Sequence, residues 1–196
     1  MRSLSDMIAA TAALVTMVTI SPIRPAIPHL AESAKRHAAR GSSGGHLILL
    51  SSIGAQMLVP GASDYQTSKH AINRLCEFIQ TDHGADGVKC FAIHPGGVAT
   101  DLGKAMPDAM HAYLSDSPEL AACFVVWLCS GAVDWAAGRY LSANWDVEAL
   151  VGMKSAILDH DLLVNRLRAE ICERSSRSAA IRCRAVQRGF SAVTSE

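Results

Sequence analysis

Ser52, Tyr65 and Lys69 are the residues of this chain whose types and spacing can do chemistry together. A lysine four residues after a tyrosine lies one helical turn away, and its ammonium stabilises the phenolate, lowering the phenol pKa. Such a phenol exchanges a proton near neutral pH. A serine hydroxyl facing it can hold a carbonyl or alcohol oxygen, so that a proton moves at oxygen while a hydride moves at carbon. Ser52 stands thirteen residues before Tyr65, with Ser51 a competitor for the same role. Farther along, His94-Pro95-Gly96-Gly97 makes a turn with no side chains at Gly96 and Gly97, where a planar ring can approach the backbone closely. Thr100 lies just beyond it. A tyrosine and lysine decorating a solvent-facing helix would share the spacing, so the joint order of these elements carries the argument.

The elements that must position these groups are legible around them. Leu47 to Leu50 is a continuous apolar run, as in parallel strands covered on both faces, and the strand reads as His46 to Ser51. A loop from Ile53 to Ser63 carries Gly54, Pro60 and Gly61. Asp64 is the expected N-cap of a helix running to about His83, with Ala71, Ile72, Leu75, Phe78 and Ile79 on one apolar face. Gly84 and Gly87 are expected to end it, and Val88 to Ile93 to form the next strand. Strand, helix, strand at this spacing implies a parallel crossover in an open α/β sheet, whose ligands sit beyond the carboxyl ends of the strands.

Composition limits what this unit can belong to. The chain has 196 residues, about half of them apolar, enough for the core of one ordinary domain. Lys plus Arg and Asp plus Glu balance at 18 each, which disfavours a nucleic-acid or anionic-membrane partner. Cys76, Cys90, Cys123, Cys129, Cys172 and Cys183 show no Cys-x-x-Cys spacing and read as free thiols of a reducing compartment, hence a cytoplasmic location. No metal site is expected, since His111 has no second ligand at metal spacing beside it. Met7 to Ile20 is an uncharged run with the length of a signal-peptide core, too short to span a bilayer unaided. The preferred reading is a buried helix packed on a sheet, broken at Pro22 and resumed through Pro28-His29-Leu30 to Lys35. The chain divides as a helical segment over 1–40, a catalytic half-domain over 41–168 and a poorly ordered basic extension over 169–196, where five arginines stand among serines.

The stretch SSIGAQMLVPGASDYQTSKHA followed by HPGGVATDL resembles the catalytic half of the short-chain dehydrogenase/reductase family, with its Ser, Tyr-x-x-x-Lys and Pro-Gly-x-x-x-Thr elements in order. The resemblance implies a partial Rossmann-like parallel sheet flanked by helices and a nicotinamide cofactor, NADP or NAD. Ser52 would polarise the substrate carbonyl, Tyr65 would be general acid in reduction and base in oxidation, and Lys69 would lower the Tyr65 pKa and bind the nicotinamide ribose. Pro95, Gly96 and the Val98 backbone would line the nicotinamide, with Thr100 near its carboxamide or phosphate. Residues 101–116 fall where the family has its substrate loop, so that Met106, Met110 and Tyr113 could touch substrate. Pro118 to Cys129 reads as a helix, and Asp134 to Val147 resembles the last strand and turn of fungal members, implying a place in secondary metabolism. Trp127, Trp135 and Trp145 read as packing residues.

Two family features have no counterpart before Ser52: the glycine-rich phosphate turn and the strand that selects between NAD and NADP. The asparagines, Asn73, Asn144 and Asn165, all follow Ser52, so none matches the fourth catalytic position. The chain therefore looks shortened at its front, with an unpaired outer edge on the first strand that a homodimer or homotetramer would help bury. Two function classes stand: an oxidoreductase interconverting a carbonyl and a secondary alcohol, or a catalytically inactive, dimerising relative that keeps the motifs by descent.

Overall fold

The computed structural model describes residues 21–104 and 108–167. The expected helix over Met7 to Ile20, Met106, Cys172, Cys183 and the extension over 169–196 lie outside the described residues. Three parallel strands make one sheet in the order β1 (His46–Leu50), β2 (Lys89–His94), β3 (Tyr140–Ser142). His46 pairs with Lys89 and Leu50 with Ile93, while Ala92 pairs with Tyr140 and His94 with Ser142. Two helices cover one face, α1 (Ser21–Ala38) and α2 (Ser63–His83). The short α3 (Asp101–Lys104) follows β2; α4 (Pro118–Cys129), α5 (Val147–Gly152) and α6 (Lys154–Asp159) come later.

Successive side chains of a strand point to opposite faces, and β2 shows what each face buries. Phe91 and Ile93 join Leu141, Phe124 and Leu128 of α4, Leu150 of α5 and Ile157 of α6. Cys90 and Ala92 join Leu49 and the α2 residues Ile72, Cys76 and Ile79, with Ile23, Ile27, Leu30 and Ala31 of α1 packed beside them. Cys76, Cys90, Cys123 and Cys129 are free thiols, and Cys76 holds the Cys90 thiol far above its ordinary range by hydrogen bonding, with burial adding to the effect.

Two expectations change. The helix expected to resume at Pro28 is already formed from Ser21: α1 has Pro25 and Pro28 inside it, because its apolar residues at helical spacing pack on β1 and α2 and offset the backbone bonds that prolines remove, while a break before it lies outside the described residues. Asp64 is not the N-cap of α2; Ala62 holds that position without a side-chain bond, and Asp64 sits inside the first turn, where its carboxylate accepts from the Tyr65 amide at 2.7 Å. α2 ends at His83 as expected, with Gly84 as its right-handed C-cap opening a 3-10 turn to Asp86, and Gly87 reverses the chain at φ +90°. A Cβ on Gly87 would stand 2.8 Å from that of Ala34, so the same residue lets α1 approach the sheet. The strands begin or end within one residue of the expected positions.

β1 has a partner on one side only, and its outer edge is unpaired among the described residues. Its last residue, Leu50, is 56% exposed. Trp127 and Trp135 pack against the core, whereas Trp145 stands edge-on to Tyr140 at 6.1 Å and is partly exposed.

Candidate active site

The carboxyl end of β1 and the first turns of α2 bring Ser52, Tyr65 and Lys69 together. Ser52 caps the 3-10 turn Ile53–Gln56: its backbone is extended and its Oγ accepts the Gly54 N–H at 3.0 Å. That bond uses an oxygen lone pair and leaves the hydroxyl proton to donate elsewhere. A Cβ on Gly54 would lie 3.3 Å from Ser52 Oγ and 3.3 Å from Tyr65 Cε1, so hydroxyl and ring converge on one space that Gly54 keeps open. Lys69 Nζ stands 5.7 Å from the centre of the Tyr65 ring, one turn along α2. The ammonium donates to the Leu50 carbonyl at 2.8 Å, and burial pulls its pKa below the ordinary lysine value.

The neighbouring Ser51 is occupied differently. Its amide donates to Ile93 O at 2.8 Å and its hydroxyl to the Lys69 carbonyl at 3.2 Å, so Ser51 joins β1, β2 and α2. The adjacent serines thus divide the work, and Ser52 is the one whose hydroxyl faces the Gly54 space.

The turn after β2 lies at the same end of the sheet. Gly96 takes φ +93°, and the glycine pair serves the chain's own packing as well. A Cβ on Gly96 would meet Asp116 Oδ2 at 2.8 Å, and one on Gly97 would run into the Tyr113 carbonyl, so both glycines make room for the chain over 113–116. Asp116 Oδ2 accepts the Gly97 N–H at 2.7 Å and the Asn144 Nδ2–H at 2.9 Å, and Val98 bridges to Asp116. Asn144 and then Gly97 hold the Asp116 carboxyl below its ordinary pKa. His94, at the end of β2, is pushed below its ordinary value by burial, against an opposing pull from Asp116, and its Nδ1 is buried without a partner. Pro95 is half-buried; Val98 O accepts the Thr100 N–H at 2.8 Å, and Thr100 Oγ1 accepts from Gly103 at 3.2 Å, capping α3. Tyr113 is exposed, and His111 faces the Lys104 carbonyl at 3.2 Å.

Gly54 and Asp116 are the residues that sequence reasoning passed over. Gly54 was readable only as a loop glycine two positions after Ser52. Asp116 sits in SDSPEL, where it reads as part of a helix start. Among the described residues no group of three or more metal-ligating side chains occurs, and no helix is long and apolar enough to cross a membrane.

A family model described as Enoyl-(Acyl carrier protein) reductase matches residues 24–143. The chain belongs to the short-chain dehydrogenase/reductase family. It is 49% identical over 121 residues to the short chain dehydrogenase mpl6 of Monascus purpureus, and equally so to citE of Monascus ruber, covering 62% of this chain and 41% of each relative. The short chain dehydrogenase pigC of Monascus ruber is 35% identical over 121 residues, covering 60% of this chain and 40% of that one. The chain thus spans about 41% of the length of the first of these relatives. Among solved structures, the NADPH-bound carbonyl reductase from chicken fatty liver superposes with a TM-score of 0.56 at 25% identity, over 72% of this chain and 56% of that one. The carbonyl reductase Sniffer of Drosophila melanogaster shares the fold at a TM-score of 0.57 and 24% identity, over 74% and 56% of the two chains.

Proposed function

We propose that this chain carries the acid–base centre of a nicotinamide-dependent oxidoreductase that interconverts a carbonyl and a secondary alcohol. The observation that carries the reading is the convergence of Ser52 Oγ and the Tyr65 ring on the space left by Gly54, with Lys69 over the ring. Ser52, its lone pair held by the Gly54 amide, donates its proton to the substrate oxygen. Tyr65 gives that oxygen a proton in reduction and takes it back in oxidation. Lys69, half-buried beside the ring, has further N–H groups to offer ribose hydroxyls beyond the one on Leu50.

The donor set fits the nicotinamide-ribose end of NADP or NAD: Tyr65 and Lys69, with Pro95, Gly96, Val98 and Thr100 on the turn after β2. When bound, that cofactor supplies or accepts the hydride. The described residues hold no glycine-rich strand-to-helix turn for its pyrophosphate. The substrate is a small molecule with a carbonyl or secondary alcohol group, its oxygen held between Ser52 and Tyr65. The fungal relatives support a place in fungal secondary metabolism, and the free thiols support a cytoplasmic location. A homodimer or homotetramer is the assembly proposed, supported by Phe78 of α2, 58% exposed.

A second reading, a catalytically inactive relative that dimerises, is favoured by one observation: Lys69 spends a donor on the Leu50 carbonyl at the unpaired edge of β1. Turnover tests the first reading. Aliphatic and aromatic ketones are offered with NADPH or NADH to the chain and to Tyr65→Phe, for which the loss of rate expected is about 10²–10⁴-fold. Equal rates in both would sink it.

A further inference from the structure

One oxygen, Asp116 Oδ2, serves two parts of the molecule that are far apart in sequence. It accepts the Gly97 N–H of the turn after β2 at 2.7 Å and the Asn144 side-chain amide of the turn after β3 at 2.9 Å. The Asp116 amide returns a bond to the Gly97 carbonyl at 2.9 Å, so residues 97 and 116 clasp each other through backbone and side chain. The carboxylate lies where a side chain on residue 96 would be, and Gly96 is the residue at φ +93° that turns the chain away from the strand. Once the chain leaves the ladder there, the Gly97 N–H needs an acceptor from outside the sheet. His94 lies within electrostatic reach of the same carboxylate.

We propose that Asp116 is the positioning residue of the cofactor edge: its carboxylate clamps the Pro95–Val98 turn against the Asn144 turn and so fixes the backbone on which nicotinamide recognition rests. The inference rests on the proposed function for its purpose, while the clamp is a property of the chain alone. A charged acceptor suits this place because it binds two donors through one oxygen more strongly than a neutral group would. Asp116→Asn can keep an acceptor oxygen at the Oδ2 position while it removes the charge and replaces the other oxygen with an NH2 group. Asp116→Ala loses both.

The test needs no cofactor for its first two readouts. Hydrogen exchange over residues 94–100 and the NMR titration of His94 are followed in the full chain, Asp116→Asn and Asp116→Ala. In Asp116→Ala, exchange over 94–100 rises at least about tenfold while β1 and α2 stay protected. In Asp116→Asn, protection persists and His94 titrates at lower pH than in the parent chain, because the neighbouring negative charge is gone; a purely steric role would leave that titration in place. Unchanged exchange in Asp116→Ala, or an unmoved His94 in Asp116→Asn, overturns the proposal. If the Ala chain does not fold, the His94 titration in Asp116→Asn decides alone. Titration of NADPH into the same samples then separates the two levels: weaker binding in Asp116→Ala is the expected result. A parent chain that binds no NADPH yet passes the first two readouts would retain the clamp and lose the functional reading.

Discussion

Ser52 and Ser51 show what adjacent residues can hide. Both end the same apolar run, and the thirteen-residue interval to Tyr65 picks out Ser52 without saying what Ser51 does. The three-dimensional bonds show what Ser51 does: its amide donates to Ile93 and its hydroxyl to Lys69, whereas the Ser52 hydroxyl oxygen accepts the Gly54 N–H and keeps its proton to donate. The triad itself was legible because a helical turn fixes the distance between Tyr65 and Lys69, so spacing in sequence becomes spacing in space. Gly54 was not legible, because its importance lies in what it lacks at a point where two distant residues meet. Gly54→Val should therefore abolish turnover, by about a hundredfold or more given the sensitivity of reacting geometry to displacement, with the far-UV circular dichroism unchanged. Retained activity in a folded Gly54→Val chain would show that the space is not where substrate sits.

Helices and strands were read where periodicity and continuity are strong. The apolar run of β1 and the start of α4 at Pro118 appear within a residue of expectation, whereas of the face expected on α2 Ile72 and Ile79 are buried but Phe78 is 58% exposed and Cys76 takes the buried place. The start of α1 was placed too late, at Pro28, since a local rule about proline lost to packing of Ile23, Ile27 and Leu30 on the sheet. The cap of α2 was misread because Asp64 can satisfy an amide from inside the first turn as well as from before it. The turn after β2 carries a pH prediction. Burial sets the folded pKa of His94 below the ordinary value of 6.5, so the unfolded chain binds the proton first as pH falls. Stability from His94 is thus fully present above about pH 6.5 and is lost as pH drops through that value toward the folded pKa. Thermal unfolding should occur at lower temperature at pH 5.5 than at pH 7.5, with a smaller difference in His94→Gln. Identical pH dependence in the two chains would assign the effect to other groups.

At the scale of the molecule, the sheet has three strands among the described residues with β1 at its edge, and the Leu50 carbonyl on that edge accepts from Lys69. Apolar, uncharged edges of this kind favour association. Light scattering of the chain should report a dimer or larger assembly, reduced to monomer by Phe78→Glu on the exposed side of α2. A monodisperse monomer of the parent chain would contradict the assembly proposed. The family was legible from two short stretches, 51–71 and 94–102, whereas Asp116, which joins residues 97 and 144, was not, because nothing local marks a bond that spans three segments.

A fluorescence titration of NADPH and NADH into the 196-residue protein tests most directly whether Tyr65 and Lys69 form a cofactor-dependent centre. Saturable binding that weakens at least about tenfold in Lys69→Ala is the predicted result, matching the loss of a charge-assisted hydrogen bond. No binding by a folded chain, or binding of equal strength in Lys69→Ala, would contradict it and leave the motifs as relics.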